Sequence, residues 1–126
     1  MRRFALLASL ISFLLIGCNT GRRERFEDAA RITYGDPHRG RASILRYGCQ
    51  HCHTIPGIRE AHGLVGPPLA GVATRAYLAG QLPNTPDNMS LWIQHPHAIE
   101  QHTVMPEMNV TPEDSRDITA YLYTLR

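Results

Sequence analysis

The sequence predicts a small all-α domain, and two observations carry this prediction. Three segments begin with the residue pair that starts helices, an N-cap side chain followed by proline, while no segment alternates apolar and polar residues with period two. The proline-led starts are Asp36-Pro37, Thr85-Pro86 and Thr111-Pro112. A chain of 126 residues is long enough for one such domain.

The first residues have the composition of a bacterial export signal. Arg2 and Arg3 precede an apolar run over residues 4–16, which is short for a membrane span and suits the core of a signal peptide. The run ends at Leu15-Ile16-Gly17-Cys18, which resembles a lipobox. Residues 1–17 are therefore predicted to be a lipoprotein signal peptide and Cys18 the lipidated first residue of the mature chain. An uncleaved anchor and an ordinary cleaved signal are the alternatives.

This leader predicts where the domain works and how it is attached. We expect it on the periplasmic side, anchored by its N-terminal lipid to the inner or the outer membrane. Residues 18–35 are polar and mixed in charge, so we expect the lipidated N-terminus and a flexible tether there, with a short helix over residues 24–31 as an alternative. The folded domain is predicted over residues 36–126.

The charged residues give no support to nucleic-acid binding or to a lysine-rich docking face on this chain. All thirteen basic residues are arginines, and loss of Arg2 and Arg3 with the leader leaves eleven, equal to the eleven acidic residues. The balanced mature chain gives no indication of nucleic-acid binding. Because the chain contains no lysine, it has no lysine-rich face for docking acidic partners.

The first half of the domain is predicted to be a helix, a loop and a shorter helix. Asp36 caps a helix over residues 37–46, in which Gly40 is of the kind that permits close approach of another helix. Residues 54–71 are rich in glycine and proline, which excludes regular helix or a central strand. Residues 72–79 are expected to form a short helix that Gly80 closes.

The second half is predicted to contain two further helices. One starts after Thr85 and stops before Pro96, and a loop then runs through Met105-Pro106. The last helix starts after Thr111 and carries an apolar stripe at helical spacing. The stripe consists of Ile118, Tyr121, Leu122 and Leu125.

Residues 49–53 carry the clearest chemical signal in the chain. Cys49-Gln50-His51-Cys52-His53 reads C-x-x-C-H, the attachment signature of a c-type haem, in which both thiols bond to the porphyrin and the histidine binds its iron. A redox dithiol and half of a zinc site are the alternatives. Cys18 is the remaining cysteine, so a second cysteine pair for zinc is missing, and no βαβ pattern indicates a thioredoxin-like fold.

The ligand on the other face of the iron has several candidates. Met89 lies on a predicted helix among apolar residues and is expected to be core, whereas Met105 lies in a loop and is followed by Pro106. Met108 is the alternative to Met105. The histidines at positions 62, 95, 97 and 102 are further candidates, of which the last three are expected to be polar surface residues around a proline turn.

These motifs together resemble the bacterial class I, monohaem cytochromes c, over about residues 35–126. The resemblance implies a small cytochrome c fold of three to five helices around one covalently attached haem, with the N- and C-terminal helices crossing. Its ordered landmarks are Gly40 before the haem motif, Gly66-Pro67-Pro68-Leu69-x-Gly71, Met105-Pro106 and the ending Asp117-Ile118-Thr119-Ala120-Tyr121-Leu122.

The resemblance also implies roles for individual residues. His53 and Met105 are the expected axial ligands, and the Pro67 carbonyl is expected to accept a hydrogen bond from the Nδ1–H of His53. Gly40 is expected at the helix crossing, against Ile118 and Tyr121. The resemblance further assigns Arg75 and Trp92 as candidate donors to a haem propionate, with surface charge and core packing as their alternatives.

A monohaem protein with both axial positions filled is expected to transfer electrons rather than to bind substrate at the iron. We expect no enzymatic activity, a monomer, and single-electron transfer in a respiratory chain between a quinol oxidoreductase and a haem–copper oxidase. The alternatives are a dedicated subunit of a periplasmic dehydrogenase or oxidase and, in another class, a haem enzyme or gas sensor with a labile Met105.

Overall fold

The computed structural model describes residues 20–126, so the predicted signal peptide and Cys18 lie outside the described residues. Within this range the chain forms five α-helices, two 3-10 helices and one small hairpin. The α-helices are α1 over residues 20–33, α2 Pro37–Arg46, α3 Pro86–Gln94, α4 Pro96–Ile99 and α5 Pro112–Tyr123. The 3-10 helices are Cys49–His51 and Val72–Thr74, and the strands of the hairpin are β1 Tyr77–Leu78 and β2 Leu82–Pro83. The predicted all-α fold is confirmed.

Helix α1 corrects the prediction of a flexible tether. Residues 20–33 are helical, and Ala29 is fully buried in the core of the domain. The Phe26 ring lies 4.9 Å from the His38 ring and meets the ring of Tyr121 edge-on at 6.4 Å, centroid to centroid. Phe26, Ala29 and Thr33 share one helix face, so the segment folds because that face packs against the domain. No helix in the described range has the length and apolarity needed to cross a membrane.

Helices α2 and α5 cross with their backbones in contact, as predicted for Gly40. A Cβ atom at Gly40 would lie 1.9 Å from the carbonyl oxygen of Asp117 and 3.0 Å from the nitrogen of Ile118. Only glycine fits this position without a shift of the helices. The buried carboxylate of Asp117 accepts hydrogen bonds from the Arg39 side chain, at 2.6 and 3.0 Å, and from the backbone nitrogen of Asp36 at 2.7 Å.

The predicted helix starts are confirmed at all three prolines. Asp36 accepts hydrogen bonds from the first-turn nitrogens of α2, Thr85 from Asn88, and Thr111 from Asp114. Each cap satisfies a backbone N–H group that has no partner within its own helix. The stretch predicted as a loop after α3 contains the single-turn helix α4, which begins at Pro96.

The short helix predicted over residues 72–79 is wrong beyond Thr74. Arg75 has extended backbone angles, and the chain continues into the β1–β2 hairpin instead. Ala79 and Gly80 have left-handed φ angles of 50° and 69°, a combination that turns a hairpin and interrupts a helix. The side chain of Asn84 stabilises this path by donating to the carbonyls of Val72, at 2.8 Å, and Arg75, at 2.9 Å.

Asp114 in the first turn of α5 joins this helix to the end of α2. Its carboxylate accepts a hydrogen bond from the Tyr47 hydroxyl at 2.7 Å, and others from Thr111, Arg46 and Ser43. These hydrogen bonds, with that of Tyr47 the most important, lower the pKa of Asp114 from its ordinary value of 3.8 to about 2. The ionised carboxylate is therefore the form that the folded state favours.

Replacing Asp114 with asparagine is expected to lower the free energy of unfolding at neutral pH by about 1.5–3 kcal/mol, because hydrogen bonds to a charged group are lost. A lowered pKa stabilises the fold above the ordinary value of 3.8 and ceases to do so as the pH falls towards 2. The difference between wild type and Asp114→Asn should therefore shrink over that range. Urea unfolding at neutral and acidic pH measures it.

The matched control is Glu113→Gln, which removes an exposed carboxylate from the same helical turn. It should leave the unfolding free energy nearly unchanged. Equal stability of wild type and Asp114→Asn at neutral pH would contradict a stabilising role for the network around Asp114.

Candidate functional site

The C-x-x-C-H motif forms a single tight turn directly after α2. Gly48 starts it with a left-handed φ of 79°, and the 3-10 helix Cys49–His51 follows. The backbone nitrogens of Cys52 and His53 both donate to the carbonyl of Cys49, at 3.2 and 3.0 Å. This turn brings both cysteines and His53 to one wall of a cavity. Both thiols are free of disulfide bonds.

The imidazole of His53 is oriented by the loop that follows. Its Nδ1 lies 2.8 Å from the carbonyl oxygen of Pro67, which confirms the predicted hydrogen bond. A carbonyl can only accept, so Nδ1 is the donor, and in the neutral imidazole Nε2 is then the nitrogen that has the lone pair. The Pro67 carbonyl thus orients the ring so that Nε2 is the nitrogen available to a metal.

Gly66 lets this loop pass directly over the ring of His53. A Cβ at position 66 would lie 2.3 Å from Cε1 and 2.7 Å from Nδ1 of that ring. The backbone nitrogen of Gly66 also donates to the carbonyl of Cys52 at 2.8 Å. The Gly-Pro-Pro run is therefore fastened to the cysteine motif at two points, through Gly66 and through Pro67.

A cavity of about 270 Å³ is lined by all the residues in the described range that were assigned to haem attachment, iron ligation or propionate binding. One wall is the cysteine motif and the Gly66-Pro67 loop, and helices α3 and α5 supply apolar side chains that include Ile93, Ile118 and Leu122. The predicted residues that line it are Cys49, Cys52, His53, Pro67, Arg75, Trp92 and Met105. Residues more than 50 positions apart in sequence thus meet at one site.

The two alternative interpretations of the cysteine pair find little support in this geometry. Burial raises the pKa of Cys49 to about 11, so its thiol is a poor nucleophile at neutral pH, unlike the reactive thiol of a dithiol enzyme. Among residues 20–126, no group of three or more His, Cys, Asp or Glu side chains is arranged to hold a metal ion. A zinc site built from these cysteines is therefore not present in the described chain.

Comparison with known proteins decides which family this arrangement represents. The family model for cytochrome c matches residues 38–126, which is more than half of the chain. The chain belongs to the cytochrome c family. It is also 27% identical over 124 residues to cytochrome c oxidase subunit 2 of Alkalihalophilus pseudofirmus, covering 94% of this chain and 35% of that protein. The chain thus spans about a third of that relative's length. No solved structure matches it significantly.

Class I cytochromes c carry covalently bound haem c with its iron, and so does this chain. Domains of this family are typical of electron-transfer proteins rather than enzymes. The residues present fit the group, because two thiols, an imidazole with a free Nε2 and a thioether line the same apolar cavity.

The candidate propionate donors of this cytochrome differ in what they bind. The guanidinium of Arg75 contacts the backbone carbonyl of Pro68 and lies 3.4 Å from that of Ala70, so it fastens the loop that holds His53. Trp92 lies on α3 and lines the cavity. Its indole N–H forms no hydrogen bond with any described residue and remains free to donate to a bound group.

Three methionines line the haem cavity. Met89 is only 2% exposed and belongs to the hydrophobic core, as predicted. Met105 and Met108 are both partly buried and both line the cavity, so the geometry leaves both as candidate ligands. The backbone nitrogen of Met105 donates to the Thr103 hydroxyl at 3.2 Å, which restrains the loop on the side of Met105.

Two hydrogen bonds that hold the segments around the site were not predicted from the sequence. The Tyr121 hydroxyl donates to the carbonyl of Pro56 at 2.7 Å, and the Tyr123 hydroxyl donates to Asn84 Oδ1 at 3.1 Å. These bonds connect α5 to the loop after the haem motif and to the segment that carries Arg75. No local pattern indicates them, because each partner is more than 35 positions away.

Replacing Gly66 with alanine should displace the loop from the His53 ring, since the new Cβ would overlap Cε1. Because the Pro67 carbonyl would move with the loop, we expect loss of at least 1 kcal/mol of holo-protein stability and an altered reduction potential. Urea unfolding and redox titration of the purified holo-protein measure both effects.

Leu64→Ala is the matched control, because Leu64 lies two positions before the glycine, is 88% exposed and does not line the cavity. It should leave the potential and the stability close to those of wild type. A Gly66→Ala variant with wild-type stability and potential would show that the close approach to His53 is unimportant.

Proposed function

We propose that this protein is a lipoprotein-type monohaem cytochrome c, anchored on the periplasmic side of a membrane through Cys18. It carries single electrons in a respiratory chain, from a quinol-oxidising complex to a haem–copper terminal oxidase. The observation that carries the electron-transfer part is the shared cavity of both cysteines, His53 and Met105. Cys18 lies outside the described residues, and its lipidation rests on the lipobox-like sequence.

In this proposal the chain's own residues hold and orient the cofactor. Cys49 and Cys52 would attach it through thioethers, and His53 and Met105 would be the protein ligands of its iron. When bound, haem c supplies a one-electron Fe(III)/Fe(II) couple. Pro67 keeps the proton of His53 on Nδ1, which leaves Nε2 as the ligand atom.

The lining of the cavity supports electron transfer without bond chemistry. Ile44, Ile93 and Ile118 are at most 4% exposed and exclude water from the protein side of the cofactor. With both axial positions filled by the protein, no substrate reaches the iron without displacing a ligand. A thioether ligand and a dry pocket also raise the reduction potential relative to a site with two histidines.

We propose Trp92 and Arg75 as the donors to the haem propionates, because both side chains line the cavity. Trp92 presents an indole N–H without a described partner, so we propose it as a donor to a haem propionate. Arg75 contributes positive charge at the same cavity while its guanidinium holds the Pro68 carbonyl. It thus stabilises a propionate and the His53 loop together.

The respiratory role is supported by the relative's name, cytochrome c oxidase subunit 2. The same match favours a second candidate, in which the chain is a dedicated electron-transfer subunit of an oxidase or dehydrogenase complex. The relative aligns with 94% of this chain, so nearly the whole chain corresponds to part of a larger oxidase subunit. The two candidates share the haem site and differ in whether the cytochrome leaves its partner between electron transfers.

Electron transfer with separately purified partners tests the proposed function. The holo-protein should be reduced by membranes that contain a quinol oxidoreductase and oxidised by membranes that contain a haem–copper oxidase. A stable complex recovered after detergent extraction would favour the subunit candidate. Absence of turnover with either membrane preparation would refute the shuttle.

The axial assignment predicts opposite results for the two nearby methionines. Met105→Ala should abolish the far-red absorption band that arises from sulfur bound to ferric iron, and it should lower the reduction potential because the thioether favours ferrous iron. Met108→Ala changes the same type of side chain at the same cavity and should keep the band. Loss of the band in Met108→Ala but not in Met105→Ala would reverse the assignment.

A further inference from the structure

Helix α1 is docked onto the haem domain. Ala29 is fully buried, and the Phe26 ring contacts the rings of His38 in α2 and Tyr121 in α5. Just after α1, a Cβ at Gly35 would lie 2.4 Å from the backbone carbonyl oxygen of Arg116 in α5. The segment from Phe26 to Gly35 is therefore packed against the domain.

This docking leaves little flexible chain between the domain and the proposed lipid. Cys18 is two positions before residue 20, the first described residue of α1, a distance of about 7 Å for a fully extended chain. The following steps rest on the lipidation of Cys18 from the proposed function. If Cys18 is lipidated, the start of α1 lies at the membrane surface, and the haem domain is held beside it by a helical arm.

Three arginines of α1 and α2 have no acidic partner among the described residues. Arg22 and Arg25 on α1 and Arg41 on α2 are exposed, and none forms an ion pair with a described residue. Arg41 donates only to the Gly57 carbonyl, at 3.4 Å. Burial raises the pKa of Tyr121, and the positive charges of Arg41 and Arg22 oppose that rise.

The other arginines of α1 are neutralised by acidic neighbours. Arg23 pairs with Glu27 at 2.8 Å, and Arg31 pairs with Asp28 at 2.6 Å. Glu24 is two positions from Arg22, about 200° around the helix, so it does not face the same way. Arg22 and Arg25 are three positions apart and share a helix face, so the unpaired positive charge of α1 lies on one side of the arm.

We propose that α1 holds the haem domain in one orientation on the membrane, with Arg22, Arg25 and Arg41 in contact with anionic phospholipid headgroups. A lipid anchor on a flexible tether gives no preferred orientation by itself, whereas a docked helix with a basic side does. Each arginine at an anionic surface strengthens the contact by roughly fivefold. The haem edge then faces partners in the same membrane at a fixed angle.

Polarised absorption of the haem in oriented bilayers tests this proposal. Lipidated full-length holo-protein is reconstituted in bilayers of phosphatidylcholine with phosphatidylglycerol, and the dichroism of the haem bands is measured. Wild type should show a single defined tilt. Arg22→Gln with Arg25→Gln should lose most of the dichroism, and so should Ala29→Gln, whose larger side chain undocks α1.

The matched control is Arg23→Gln with Arg31→Gln, which removes the same charge from the same helix but from its paired arginines. It should keep the wild-type dichroism. Isotropic haem in wild type, or equal dichroism in the two double variants, would overturn the proposed arm and patch. Mass spectrometry of the extracted protein separates the two proposals. An unmodified Cys18 refutes the anchor and the arm with it, whereas a lipidated protein with isotropic haem refutes the arm alone.

Discussion

The contact between the backbones of α2 and α5 at Gly40 is the constraint on which the rest of the domain depends. With 1.9 Å between a Cβ at this position and the Asp117 carbonyl oxygen, no other residue allows the helices to cross here. The crossing places Ile44 of α2 and Ile118 of α5 in the same cavity wall. It also buries Asp117, whose charge is compensated by Arg39 and by the backbone of Asp36. The packing of the two helices and the shape of the cofactor pocket between them therefore both depend on Gly40.

Much of this organisation could be predicted from local sequence because its causes are local. An N-cap followed by proline acts within one helical turn, so Asp36, Thr85 and Thr111 start helices as predicted. The C-x-x-C-H spacing likewise acts within one turn. The hydrogen bond from His53 to Pro67 was predictable only through the family resemblance, and it is present at 2.8 Å.

The features that escaped prediction depend on tertiary partners. Phe26, Ala29 and Thr33 have helical spacing, but the face they form is small and partly polar, and it becomes informative only beside Tyr121. The chain after Thr74 turns into a hairpin because Asn84 holds the Val72 and Arg75 carbonyls. Tyr121 and Asn84 are not adjacent in sequence to the segments that they contact. Local propensity alone therefore predicts a tether over residues 18–35 and a helix over residues 72–79.

These features place the chemistry inside the domain and leave partner binding to its surface. The ligands, the loop over His53 and the apolar lining are held by contacts within the domain, whereas the chain has no lysine to steer charged partners. If the proposed lipid anchor is present, attachment to a membrane raises the effective concentration of partners in that membrane without strong charge steering. In the proposed arrangement the docked α1, unlike a flexible tether, also restricts the approach angle.

We propose that the protein itself closes both axial positions of the haem iron, and titration with carbon monoxide tests this proposal most directly. Reduced holo-protein at neutral pH is titrated with carbon monoxide while its absorption spectrum is recorded. The closed site predicts an unchanged ferrous spectrum, because carbon monoxide would have to displace the thioether. Ready formation of a carbon monoxide complex by the wild-type protein would contradict the claim and favour a ligand-binding haem protein.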